Sequence, residues 1–273
     1  MSFFTSLSGM RNAETNLRVI AHNIANAETT GFKRSGAQFA ELVASGTSTD
    51  PRRMPGIGAT VAAISQDFSL GPVEQTGRSL DLSITGGGFF AVSDPASGDI
   101  SFTRNGRLEI SVTGALQDSL GARVQAFPVD AITGTPTSTT PTDVTIPLAN
   151  QASPPAELSN VTIDNRGLIT AAFSDGTTQP VGMVALANFA APGGLRAIGQ
   201  TRWQATGESG APAYGNPGIG NNGGLLSGAL ERSNVDLAGE MVALLGAQRN
   251  FQANARAIDT ATQITQTVLN LRQ

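Results

Sequence analysis

The sequence predicts an α+β protein in which N- and C-terminal heptad helices form a coiled-coil layer and a mainly antiparallel β domain is inserted between them. Three observations predict it. Leu237, Met241, Leu244, Gln248, Phe251, Ala255 and Ile258 fall at alternating steps of four and three, the heptad spacing of a packing helix. Phe3, Leu7, Met10, Ala13, Leu17, Ile20 and Ile24 lie on one face of a shorter N-terminal helix. Between the two, the hydrophobic period changes to two, in short runs rich in Val, Ile and Phe separated by glycine.

The C-terminal stripe continues through Ala261, Ile264, Val268 and Leu271, with a change of phase that a stutter tolerates. No Gly or Pro interrupts it after Gly246. At 1.5 Å per residue such a helix is roughly 50 Å long, too long for one small domain to cover. Its remaining faces carry Ala, Asn, Gln and Thr, with charge only at Glu240, Arg249, Arg256, Asp259 and Arg272. A solvated helix of that length carries many more Glu–Lys pairs, so small uncharged faces suit contact on several sides. Thr30-Gly31 ends the N-terminal helix.

Residues 1–30 and 225–273 therefore read as the helical part. Residues 31–58, rich in Gly, Ser, Thr and Pro, read as a linker with one apolar patch from Phe39 to Val43. Residues 59–224 read as the β domain. Asn105-Gly106, between ISFTR and RLEIS, predicts a hairpin. Asn165–Gly167, Asp175-Gly176 and Asp118–Gly121 predict further turns. Residues 131–160 are Pro- and Thr-rich and read as a loop with one edge strand at Val144–Ile146.

Composition excludes several classes. A chain of 273 residues with net charge -4 and no basic patch argues against nucleic acid or an anionic membrane as partner. Without cysteine there are no disulfides or thiolate ligands, and one histidine makes a transition-metal site improbable, so no cofactor is expected. The apolar run from Val181 to Ala191 is broken by Gly182 and Asn188 and is far short of the about 20 residues that span a bilayer, so no membrane insertion is expected. The N-terminus lacks the basic and apolar regions of a cleavable signal.

No constellation demands an enzyme. Gly218, Gly220 and Gly223 match GxGxxG, but no βαβ context surrounds them, and a Gly-rich loop is the simpler reading. His22 has no neighbouring nucleophile or carboxylate to serve as a general base and reads as a helix-surface or packing residue. Asp81, Asp164 and Asp175 look like strand-end and turn acids, and Asn160-Val161-Thr162 is too short a glycosylation pattern to weigh. A saccharide-binding or hydrolytic β protein would need clustered aromatics or paired acids, and aromatics are 5% of the chain.

The assembled stretches resemble one family, the axial proteins of the bacterial flagellum, and within it most closely the hook branch. At the N-terminus SLSGMRNAETNLRVIAHNIANAETTGFKRS carries the resemblance, with Asn23, Asn26, Thr30, Gly31, Phe32 and Lys33 fitting the family signature. AISQDFSLG, TGRSLDLSITGGGFFAV, FTRNG and ALANFAAPGGL are similar to its inner β domain. SGALERSNVDLAGEMVALLGAQRNFQANARAI is the most specific match, through Ser233, Asn234, Gln248, Arg249 and Asn250. One departure stands out. Hook proteins usually carry a sizeable outer domain where this chain has only residues 131–160, a feature that leaves a distal rod subunit as the alternative.

The resemblance implies a structural subunit, not an enzyme, that assembles into a helical homopolymer: a hook acting as a flexible universal joint that passes motor torque to the filament. It implies a chain exported without a cleaved signal through the flagellar type III apparatus to an extracellular hook or basal body. Its implied partners are further copies, the distal rod protein, and the hook cap and hook–filament junction proteins. Phe39-x-x-x-Val43 resembles the family's export-gate segment, and Phe3-x-x-x-Leu7 also fits so short a pattern. The assembly helices would use Phe3, Leu7, Met10, Leu17, Ile20, Ile24, Leu237, Met241, Leu244, Phe251, Ile258, Ile264 and Val268. Heptad stripes without an intrachain core to cover them are expected to be largely disordered in the free subunit. Leu244→Asp is expected to block polymerisation without unfolding the β domain.

Overall fold

The computed structural model describes residues 2–43, 56–150 and 155–270. The chain divides into two compact units. One comprises Met1–Ala27, Arg34–Asp67 and Val235–Gln273; the other comprises Glu28–Lys33 and Phe68–Asn234.

The first unit contains two helices, α1 (Ser2–Ala25) and α2 (Leu237–Asn270), and a two-stranded ribbon of β1 (Ser35–Val43) and β2 (Gly56–Gln66). The helices lie antiparallel and pack on each other. Gly9 of α1 faces Asn254, where an added Cβ would fall 2.5 Å from the side-chain oxygen. At the other end Arg34, beyond α1, reaches Glu240 in the first turn of α2. Asp236 starts α2 as its N-cap, its carboxylate accepting from the amides of Ala238 and Gly239.

The two helices thus cover part of each other within one chain, where the stripes were expected to have no intrachain core. The covered face of α2 is also rotated from the predicted stripe. Glu240 and Ala247 are buried and Leu244, Phe251, Asn254, Ile258 and Ala261 half-buried, while Leu237, Met241 and Gln248 are exposed. Both series keep the four–three spacing and share Leu244, Phe251 and Ile258. The apolar pattern alone favours the other series because its unshared members begin with Leu237 and Met241, ahead of Gln248 and the half-buried Ala255, where the covered series has Glu240, Ala247 and Asn254.

β1 falls within residues 31–58, read as a linker, and pairs antiparallel with β2, most of which lies in the run from Thr60 read as strand, from Ser35–Gln66 to Val43–Gly56. Most of β1 is exposed on both faces, so its sequence lacks the alternation that marks a half-buried strand. Residues 44–55 lie outside those described.

The second unit is antiparallel β, as the runs predict. Its main sheet orders the strands 158–163, 168–173, 178–184, 123–128, 89–93, 100–103, 202–204 and 196–199, with shorter strands attached. Two ribbons lie off it: β3 (Val73–Gln75) pairs with Ala229–Glu231, and β4 (Leu82–Thr85) with Gly224–Ser227. Strand Phe89–Ser93 is buried on both faces. Phe90 and Val92 join a large cluster with Leu82, Leu108, Ile169 and Leu186, while Phe89 and Ala91 join a second with Phe102, Phe189 and Trp203.

The turns at Asn165–Gly167, Asp175-Gly176 and Asp118–Gly121 form as expected. Asp164, Asp175 and Asp118 each accept backbone amides across the turn, and Gly167, Gly176 and Gly121 take positive φ. Asn105-Gly106 does not make a hairpin. The strand 100–103 pairs with 89–93 and 202–204, and the strand 108–110 with 116–118. Asn105 accepts the Arg107 amide, and Gly106 is pressed against Leu82, where an added Cβ would lie 1.9 Å from the carbonyl oxygen. The glycine serves a close backbone approach instead of a two-residue turn.

The Pro/Thr-rich segment is partly built into the sheet. Thr142–Asp143 pairs with the strand 123–128, and Val144 and Ile146 are buried in the large cluster. The predicted edge strand is therefore displaced by two residues. Residues 151–154 lie outside those described.

Candidate functional site

Signature residues from both ends of the sequence meet in the second unit around one buried carboxylate. Glu231 closes the strand Ala229–Glu231, all of whose residues are buried. Its Oε1 accepts from Lys33 Nζ at 2.5 Å and from the Gly71 amide at 3.0 Å, and its Oε2 lies 3.4 Å from Arg104 Nη1. Lys33 and Glu231 are fully buried and Arg104 is 3% exposed. Lys33 also donates to the Ser69 carbonyl, and Arg104 to that of Gly86, with its guanidinium 5.1 Å from the centre of the Phe89 ring. Burial pushes the Arg104 guanidinium below its ordinary value, and the charge and hydrogen bond of Glu231 pull it back. Such a cluster survives burial only because each charge is paired and hydrogen-bonded; removing one partner of a buried pair costs about 3–5 kcal/mol.

Most of the other signature residues are buried or held by identifiable contacts. Gly31, at φ +70°, donates its amide to the Glu231 carbonyl, and an added Cβ would lie 2.6 Å from the Asn105 nitrogen. Phe32 and Ser233 are buried, Thr30 is half-buried, and Asn234 donates its amide to Ser69. Arg232 pairs with Glu28 and with Glu74. In the first unit, Asn23 is buried and bonded to the Ser35 backbone, and the Asn26 side chain donates to the His22 carbonyl at the end of α1. Gln248, Arg249 and Asn250 are exposed on α2. The signature thus consists of three groups: residues around the buried Glu231 of the second unit, Asn23 and Asn26 bonded at the end of α1, and residues left on the surface of α2.

The predicted helix stripe is placed as follows. Ile20 is buried; Leu7, Met10, Leu17, Ile24, Leu244, Phe251 and Ile258 are half-buried; Phe3, Leu237, Met241 and Ile264 are exposed. The Val268 side chain and Leu271 lie outside those described. Val242 and Leu245 add to the exposed apolar surface beside Met241. Phe39 and Val43 are both exposed on β1.

Arg104, Glu231, Arg34 and Glu240 are absent from the sequence-derived candidates. One signal could have found Glu231: a lone acid closing an apolar strand run demands a buried cation, although nothing local says which. Among the described residues, no group of His, Cys, Asp and Glu could hold a metal ion, and no helix is long and apolar enough to cross a membrane. His22 is exposed near the end of α1. Gly218 and Gly220 take positive φ in a turn that leads to the strand 224–227, and Gly223 is pressed against Gly86. A strand, not a phosphate-binding helix, follows that glycine pattern.

Residues 4–33 match the family described as flagella basal body rod protein, 83–171 the flagellar hook protein FlgE/F/G D1 domain, and 226–271 the flagellar basal body rod FlgEFG protein C-terminal. The chain is 33% identical over 284 residues to the flagellar basal-body rod protein FlgG of Bacillus subtilis (strain 168), covering 100% of this chain and 99% of that one. The chain belongs to the flagellar rod and hook protein family. It is 34% identical to the FlgG of Caulobacter vibrioides, with 98% of each chain covered. It is 27% identical over 413 residues to the flagellar hook protein FlgE of Escherichia coli (strain K12), with 100% of each covered. Members of this family are structural proteins of the flagellar basal body and hook. Within the family, Lys33 falls at the end of the N-terminal match and Glu231 near the start of the C-terminal one, so the buried pair joins two separately recognised segments.

Proposed function

We propose that the chain is a subunit of the flagellar hook, exported without a cleaved signal and assembled outside the cell into a helical homopolymer. The tube acts as a flexible joint passing motor torque to the filament. The observation that carries self-assembly is the uncovered apolar surface of α2. Leu237, Met241, Val242 and Leu245 stay exposed although α2 already has an intrachain partner. A soluble monomer gains nothing from such a stripe, whereas copies packed side by side bury it in an inner coiled-coil layer. Phe3 and Ile264 extend the apolar surface to other parts of the helices.

Assignment to the hook branch rests on the matched residues. At 27% over 413 positions, the hook relative shares more identical residues with this chain than the rod relative does at 33% over 284. The excess length of that alignment falls opposite gaps in a chain of 273 residues, in keeping with a hook subunit whose outer domain is almost lost. A second reading, a distal rod subunit, is favoured by the near-equal lengths in the rod alignments. In either case the partners are further copies and the neighbouring axial proteins: distal rod, hook cap and hook–filament junction proteins for a hook. Phe39 and Val43 are the segment offered to the export apparatus.

Electron microscopy of the purified protein after salting-out separates the readings. Curved tubes are expected of a hook; straight, rigid ones favour the rod. Monomers alone, even when seeded with hook fragments, would contradict self-assembly.

A further inference from the structure

We propose that Glu231 is a late-closing lock on the β unit: the sheet forms first, and the unit stays open until this carboxylate docks between Lys33 and Arg104. The topology distinguishes the two events in part. Several pairings of the main sheet join neighbouring strands through short turns, as in 89–93 with 100–103 and in 158–163, 168–173 and 178–184, and so can form early, although others, such as 100–103 with 202–204, join distant segments. The strand that carries Glu231 belongs to none of these; it pairs with β3 in a three-residue ribbon off the sheet. Its carboxylate meets partners 198 and 127 residues away in sequence, the kind of contact for which loop closure is costly and whose gain comes late.

Charge makes the ordering sharp. Before Glu231 arrives, Lys33 and Arg104 cannot both be buried without a counter-charge, so water must reach them. When it arrives, one carboxylate takes donors from Lys33, Gly71 and Arg104, and the Glu231 carbonyl takes the Gly31 amide. Closing the ribbon and neutralising the cations are then one step. That step lies immediately before the chain turns into α2, since Asp236, the N-cap, follows Glu231 by only a few residues.

The molecule carries its own reporter. Trp203 is the only tryptophan, is 2% exposed, and sits 5.7 Å from the Phe89 ring that Arg104 covers. Its emission follows the β unit and not the helices, which hold no tryptophan.

The test is stopped-flow unfolding and refolding of the full-length protein in urea, followed by Trp203 emission. A lock that closes after the transition state predicts that Glu231→Gln speeds unfolding by more than about 100-fold and leaves refolding within about twofold. Refolding slowed tenfold or more would overturn the proposal, because the carboxylate would then be in place before the barrier. Unchanged rates in both directions would also overturn it. If Glu231→Gln does not fold, Lys33→Met is measured instead, since it removes one cation and leaves the carboxylate on Arg104. It is expected to speed unfolding about tenfold with refolding unchanged; slowed refolding or an unmoved unfolding rate overturns the lock there too.

Discussion

Asn23 and Ser35 form a reciprocal pair: the Asn23 amide donates to the Ser35 carbonyl at 2.8 Å, and the Ser35 amide donates to Asn23 Oδ1 at 2.9 Å. A buried side chain near the end of α1 thus satisfies both backbone groups of the first residue of β1, as a neighbouring strand would. Asn23→Ala removes both bonds and leaves two buried backbone groups unmatched. It is expected to cost roughly 3 kcal/mol in urea unfolding followed by far-UV circular dichroism. Asn23→Asp keeps the acceptor but sets a carboxylate oxygen against the Ser35 carbonyl, so it is expected to rescue little.

Two glycines make opposite predictions from similar distances. At Gly106 an added Cβ meets the Leu82 carbonyl oxygen at 1.9 Å, and backbone cannot step aside cheaply. Gly106→Ala is expected to destabilise the β unit by about 3 kcal/mol or more, measured by Trp203 emission in urea. At Gly9 the obstacle is the Asn254 amide, the end of a flexible side chain bonded to the Asn250 carbonyl. Turning that amide aside offsets the gain in helix propensity, so Gly9→Ala is expected within about 1 kcal/mol of the parent.

The turn between the strands Arg196–Gly199 and Arg202–Gln204 holds Gln200 and Thr201 at φ 56° and 55°. A left-handed conformation strains a β-branched residue in particular. Replacing the pair through Gln200→Asn and Thr201→Gly supplies the residues that such a two-residue hairpin favours, and is expected to stabilise by about 1 kcal/mol. The carbonyl of residue 201, which accepts from Thr103, is retained, so the gain should appear without loss of that contact. Calorimetry checks it as a rise in Tm.

At the turn after strand 168–173, the hydroxyl of Thr177 holds the Asp175 carboxyl below its ordinary value, with help from the Thr177 amide and the Asn150 side chain. A carboxylate whose folded value is depressed stabilises the fold above its unfolded value, and that contribution is lost as pH falls through the folded one. An NMR titration is expected to place Asp175 below 3.8, and Thr177→Val to move it back up towards that value. An unmoved midpoint in the variant would remove the hydroxyl as the cause.

Features that depend on neighbours in sequence were legible, and those that depend on distant partners were not. Asp164 to Gly167 makes a turn because one side chain accepts nearby amides, a relation contained in a few residues. Asn105-Gly106 has the same local chemistry, yet Leu82 lies against the glycine and the flanking strands pair elsewhere. The strand β1 escaped notice because neither of its faces is buried enough to impose alternation, although the run that forms its partner β2 was readable as a strand. On α2 the four–three spacing was readable, but which of two such series is covered was not, since Glu240, Ala247 and Asn254 became interior through α1 and Arg34. Lys33 was noticed as part of a signature, and its reason, Glu231, lies 198 residues away.

The central claim is that the exposed stripe of α2 becomes a contact between copies. The protein has no cysteine, so Met241→Cys introduces a single thiol at a position now 49% exposed. Its labelling rate in monomer and in assembled protein tests the claim most directly. Fast labelling in the monomer with protection of at least roughly tenfold in the polymer is predicted, in line with burial of the stripe. Polymers that form normally and label at the monomer rate would contradict it.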